Sequence, residues 1–144
     1  MVRNFKMAGA LAGLVLAIGF LPVYAQTAVQ TLETGTFHGQ VHNTSGRATI
    51  YREGDGKLVL RLTHFQTSNG PDVHVILIAD RDADDNANFL KSGTQRVELG
   101  LLKGNEGDQN YDIPAGTDLA KFQTVSIYCE RFNANFGAAP LTKF

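Results

Sequence analysis

Apolar and polar residues alternate with a period of two along most of the chain after residue 35, the spacing of half-buried strands rather than helices. In Thr36–His42, Phe37 and Val41 fall on one face, while His38, Gln40 and His42 fall on the other. Arg47–Glu53 and Lys57–Phe65 flank Gly54-Asp55-Gly56, a strong hairpin signal. Along the second arm Leu58, Leu60, Leu62 and His64 share one face, opposite Val59, Arg61 and Thr63. Ser68–Asp72 is a turn, because Pro71 fixes φ and Gly70 relaxes it. Val73–Ala79 is apolar on both faces and predicts a central strand. Thr94–Gly100 and Asn110–Pro114 predict further short strands around the glycine-broken loop Leu101–Gln109, and Asp118–Phe122 has room for one helical turn. The last strands carry a phase change. Val125, Ile127 and Cys129 occupy odd positions, whereas Phe132, Ala134 and Phe136 occupy even ones. If both sets face the core, either a β-bulge near Glu130–Arg131 flips the phase or a turn separates two short strands. Seven to nine short strands with Gly, Asn and Asp turns and little helix predict an all-β fold, an antiparallel β-sandwich.

A different pattern occupies residues 1–25. Arg3 and Lys6 precede the uncharged apolar run Met7–Phe20, and Leu21–Ala25 ends in small residues two apart. This is the layout of a cleaved signal peptide, and the run is shorter than the ~20 apolar residues of a bilayer span. The expected product is secreted or periplasmic, with no membrane span after cleavage. A short polar lead-in (26–34) and one domain (35–144) follow. Without Arg3 and Lys6 the remaining 11 basic residues stand against 14 acidic ones, a formal charge of −3. No Lys/Arg cluster exists, so nucleic acid and anionic membrane surfaces are not expected partners.

Candidate chemistry centres on Cys129, the single cysteine of the chain. It cannot close an intrachain disulfide. Four roles stay open: an inert buried thiol, an intermolecular disulfide, a redox-active thiol, or a thiolate ligand to a metal or haem. His38 and His42 are ~13 Å apart on a strand and cannot share one metal by themselves. His64 and His74 lie at the parity of apolar neighbours, which makes them either hydrogen-bonded core histidines or co-ligands of Cys129. No His or Met follows Cys129, which argues against a standard blue-copper site, and no C-x-x-C-H attaches a c-type haem. Haem held by Cys129 or by a histidine remains open. Asp80, Asp82 and Asp84 alternate like the start of a calcium loop, but Asp85 and Lys91 stand where an EF-hand needs Gly and Glu. A simpler calcium clip and a solvated turn are the two readings of that loop. No hydrolase or nucleotide-binding motif is present.

Several stretches together resemble the DM-thirteen domain, the electron-transfer module of Skeletor-type proteins. They are Gly70-Pro71-Asp72-Val73, Leu99-Gly100 with Leu102-Lys103-Gly104-Asn105, Gly107-Asp108-Gln109-Asn110-Tyr111, Ile113-Pro114, and Cys129 with Phe132, Phe136, Gly137 and Ala139. The resemblance covers Gly35 to Leu141. It implies a β-sandwich and a redox role for Cys129, as a bare thiol or as a ligand to a group such as haem. Tyr128 stands where many members carry Trp and is a candidate neighbour of such a group. Family members often adjoin DOMON or cytochrome b-type domains. A stand-alone module of this kind needs a separate redox partner or cell-envelope protein, and is an electron-transfer or binding module rather than a stand-alone catalyst. The alternative reading is a secreted structural or binding module with an inert cysteine, calcium-stabilised where the acidic loop acts as a clip.

Overall fold

The computed structural model describes residues 28–83 and 93–144, with a few isolated positions before residue 28. Most of the expected leader, and Asp84, lie outside these residues. The described chain forms ten strands: β1 (Gln30–Thr36), β2 (His38–Gly39), β3 (Ser45–Arg52), β4 (Leu58–Gln66), β5 (Val73–Ile78), β6 (Arg96–Leu101), β7 (Gln109–Ile113), β8 (Thr124–Cys129), β9 (Ala134–Pro140) and β10 (Thr142–Lys143). They make two five-stranded antiparallel sheets, ordered β10-β1-β3-β4-β7 and β2-β9-β8-β5-β6. The predicted β-sandwich is the observed fold. No helix among the described residues is long and apolar enough to cross a membrane.

The core lies between the sheets. Sheet one contributes Ala48, Ile50, Leu60, Leu62, Phe65, Tyr111 and Ile113, and sheet two contributes Val73, Val75, Leu77, Val125, Ile127, Cys129, Phe136 and Ala139. Sheet two is also buried on its outer side, where Ile76, Ile78, Tyr128 and Ala138 pack with Ala83. That is why β5 and β8 are apolar on both faces. Polar groups beneath this layer are paired. Ser126 Oγ donates to Asn135 Oδ1 at 2.9 Å, and Thr124 Oγ1 donates to the Asp80 carbonyl at 2.8 Å.

Several elements depart from simple alternation. Residues 30–34, expected in the lead-in, belong to β1, which lies between β10 and β3. Its register shifts between Thr31 and Glu33, and the residues opposite the core positions Ile50 and Ala48 are Glu33 and Gly35, so no apolar alternation marks it. The chain turns at Glu130–Asn133, where Asn133 takes φ +47°, and Phe132 is left 64 % exposed rather than in the core. Of the two arrangements open at Glu130–Arg131, the turn between two strands is the one observed, and the bulge is not; a separate bulge lies within the β8–β9 ladder. The register jumps from Ile127↔Gly137 to Tyr128↔Asn135, which makes Phe136 the extra residue. Asp118 begins one hydrogen-bonded turn, not a helix, accepting from the backbone N–H of Phe122 at 3.0 Å.

Candidate functional site

Cys129 ends β8, opposite Val73 of β5 and Ala134 of β9. It is fully buried and belongs to the inter-sheet core with Phe37, Phe65 and Phe136. Its position comes from parity: Val125, Ile127 and Cys129 are the core-facing half of β8. Just beyond it, Ser68–Val73 and Leu101, Leu102, Gly104 and Asn105 wall an open cleft of about 290 Å³. Val73, the register partner of Cys129, is part of that wall. Backbone bonds pin the cleft on three sides. Leu102 N donates to Val73 O at 2.8 Å, Thr67 N to Asn105 O at 2.8 Å, and Glu130 N to Asp72 O at 3.0 Å. Gly70 presses on the core here: a Cβ on it would lie 2.7 Å from Val73 Cγ2 and 2.9 Å from Phe136 Cζ.

The other residues singled out in the sequence are dispersed. His74 and Tyr128 are register partners, but their strand parity places them on the outer face of sheet two, away from Cys129. His74 is held on both ring nitrogens, Nε2 by Asp72 Oδ1 at 2.8 Å and Nδ1 by Glu98 Oε1 at 2.7 Å. Burial would lower its pKa, but the hydrogen bonds to Glu98 and Asp72 and their charge outweigh that and raise it. The Tyr128 hydroxyl donates to Asn133 Oδ1, and Arg96 lies 6.0 Å from its ring centroid. Burial first, then the charge of Glu130, pushes the Tyr128 phenol up. His64 faces solvent. The register of β3 on β4 shifts at this point, His64 takes φ +50°, and Phe65 takes the core position that alternation assigned to His64. Asp108 fixes the kink by accepting from His64 N at 2.9 Å.

These positions test the fit of a haem. A thiolate or imidazole ligand must offer a lone pair to open space. Cys129 has no exposed surface, and both His74 nitrogens are engaged by carboxylates. His64 belongs to the other sheet. This arrangement does not fit a haem bound through Cys129 or His74. Of the acidic loop, Asp82 Oδ1 sits 2.7 Å from His38 Nε2 and accepts from Ala83 N, while Asp80 Oδ1 accepts from Arg81 N. No group of three His, Cys, Asp or Glu among the described residues is placed to hold a metal ion.

The family comparison adds to this geometry, with the electron transfer DM13 family matching residues 36–141. The chain belongs to the electron transfer DM13 family. No curated protein and no solved structure matches it. In this DM13 domain three of the motif stretches are the walls of the cleft and their brace. Gly70–Val73 forms one wall, and Leu102–Asn105 the other. Gln109 and Tyr111 hold the second wall from β7: Gln109 Nε2 donates to Gly104 O at 2.9 Å, and Lys103 N donates to the Tyr111 hydroxyl at 2.9 Å. The Tyr111 hydroxyl donates in turn to Gln109 Oε1 at 2.5 Å. Sequence reasoning named the cysteine but not this brace. Its signal was present as the Gln-Asn-Tyr alternation, which puts Gln109 and Tyr111 on one side of a strand.

Proposed function

We propose that this DM13 domain is an exported electron-transfer module whose redox group is Cys129 as a bare thiol, served by a partner protein at the adjoining cleft. In the oxidising step one electron passes from the sulfur to an oxidised partner and the thiol proton passes to water admitted as the cleft walls part, leaving a sulfur-centred radical. The reverse step restores the thiol. The observation that carries this reading is the concentration of irregular backbone around the cysteine end. Among the described residues, three of the four register shifts between strands occur there, at Gly46/His64, Leu99 and Phe136. Bulges gather where a protein re-aims groups for a function. The leader-like first 25 residues support export.

The full burial of Cys129 favours a second reading, in which the thiol is core packing and the module is structural. Voltammetry and an intact mass of the purified protein, native and Cys129→Ala, separate the two. The redox reading expects a wave in the native protein that the variant lacks, an unmodified mass and no visible absorption band. A native protein without a wave, or a variant that keeps one and loses only stability, overturns it.

A further inference from the structure

The imidazole of His74 joins the two walls of the cleft. Asp72 belongs to the first wall, and Glu98 lies on β6, the strand that runs into the second wall at Leu101. Glu98 Oε1 also accepts from Gly100 N at 3.2 Å. The bulge at Leu99, where the register jumps from Val75↔Gly100 to Ile76↔Glu98, puts that carboxylate beside His74. A neutral imidazole carries one N–H, so it can donate to only one of two ionised carboxylates. Both bonds are made only when the ring is protonated. At 19 % side-chain exposure the ring is largely covered, whereas Asp72 and Glu98 are 41 % and 44 % exposed.

We propose that Asp72, His74 and Glu98 form a proton-controlled clasp that ties the two walls of the cleft beside Cys129 together when His74 is charged and lets them part when the proton leaves. His74 is thus a positioning residue, and this inference rests on the reading of Cys129 as the group that the cleft serves. The remaining groups facing the ring do not replace the clasp. From β8 it meets Tyr128, held to Asn133. Arg96 of β6 lies over that tyrosine and is paired with Glu130 at 2.5 Å, so its charge is met locally. The sign follows from the raised His74 pKa. The contribution is complete below the ordinary imidazole value of about 6.5 and is lost as pH rises through the higher folded value.

The test uses the full folded domain. NMR titration gives the His74 pKa, and hydrogen exchange of the Leu102 amide, the donor to Val73, reports wall opening. Each pH point is read as the ratio of native protein to His74→Gln, which cancels the intrinsic pH dependence of exchange. We expect Leu102 to be about threefold better protected in the native protein at low pH, the exposure of both carboxylates keeping the effect modest. The ratio should fall to one above the His74 pKa. Alkylation of Cys129 should show the inverse ratio. Glu98→Gln, which keeps the shape and removes one charge, should lower the His74 pKa, and carries the test if His74→Gln does not fold. A His74 pKa at the ordinary value, or a Leu102 ratio flat with pH, overturns the clasp. Loss of the Cys129 redox wave overturns the preceding proposal and leaves these two readouts unaffected.

Discussion

Glu33 sets up a sharp thermodynamic test. It lies on β1 opposite Ile50 of β3 and Lys143 of β10, on the side that faces the other sheet. It is 8 % exposed, and its Oε2 has no hydrogen-bond partner among the described residues. Burial raises its pKa, and the charge of Lys143 only partly opposes this. Below the unfolded carboxyl value of about 4.3 the proton is bound in both states, and pH has no leverage through this group. As pH rises from there through the raised folded value, the native state comes to carry a buried charge that the unfolded state hydrates at no cost. Stability therefore falls across that window. Glu33→Gln keeps the shape and cannot ionise. A buried polar group without a partner costs roughly 1–3 kcal/mol, more when charged. The attraction of Lys143 returns part of this, which sets the expected gain at the lower end, about 1 kcal/mol at about pH 8, or about 4 °C in Tm for a domain of this size. The gap should close at about pH 4, where the carboxyl is neutral. Urea unfolding of both proteins at the two pH values measures it. A variant less stable than the parent at the higher pH, by the same margin at both, refutes the claim that the carboxylate is buried without compensation.

Two further substitutions test the backbone around the cleft. Gly70→Ala forces a Cβ against Val73 and Phe136, and should cost about 1–3 kcal/mol in chemical denaturation, with the Val73 and Phe136 resonances shifted. An unchanged midpoint would mean that the loop does not press on the core. His64 is exposed, so most substitutions there should stay within about 0.5 kcal/mol. His64→Val is the exception: a β-branched residue at φ +50° should cost about 1–2 kcal/mol. Equal stability of His64→Val and His64→Ala would show that the strand is not kinked at this position.

Strand alternation was readable wherever it was uninterrupted. The Gly54–Gly56 hairpin joins β3 and β4 as expected, and the two-sided apolar run at Val73 is an interior strand of sheet two. Alternation failed at the bulges, because one extra residue reverses the parity of all that follows. His64 was assigned to the core on the parity of Leu60 and Leu62. The spacing from Leu62 to Phe65, three instead of two, was the visible sign of the shift. β1 escaped notice because its core-facing positions hold Glu33 and Gly35. The relation of His74 to Cys129 could not be read at all. Both β5 and β8 are apolar on both faces, so parity alone does not tell which half of each strand faces the other sheet. Only the register of Val73 on Cys129 and His74 on Tyr128 separates them.

That separation shapes the chemistry available to the domain. A histidine in contact with the sulfur would make Cys129 a ligand or an activated nucleophile. Instead, His74 lies on the outer face of sheet two, and its link to the thiol is the clasp proposed above. The sulfur is left with the core for surroundings, and its register partner Val73 is a wall residue of the adjoining cleft. Regular strands would have closed this end, as they do across the middle of the sandwich. The bulges at Leu99 and Phe136 and the kink at His64 bend three strands there. These deviations turn Glu98 toward the imidazole, seat Phe136 in the core and turn His64 outward. A thiol that served packing alone would not require that irregularity, so the backbone around Cys129 supports the proposed function where the burial of the sulfur taken alone speaks against it.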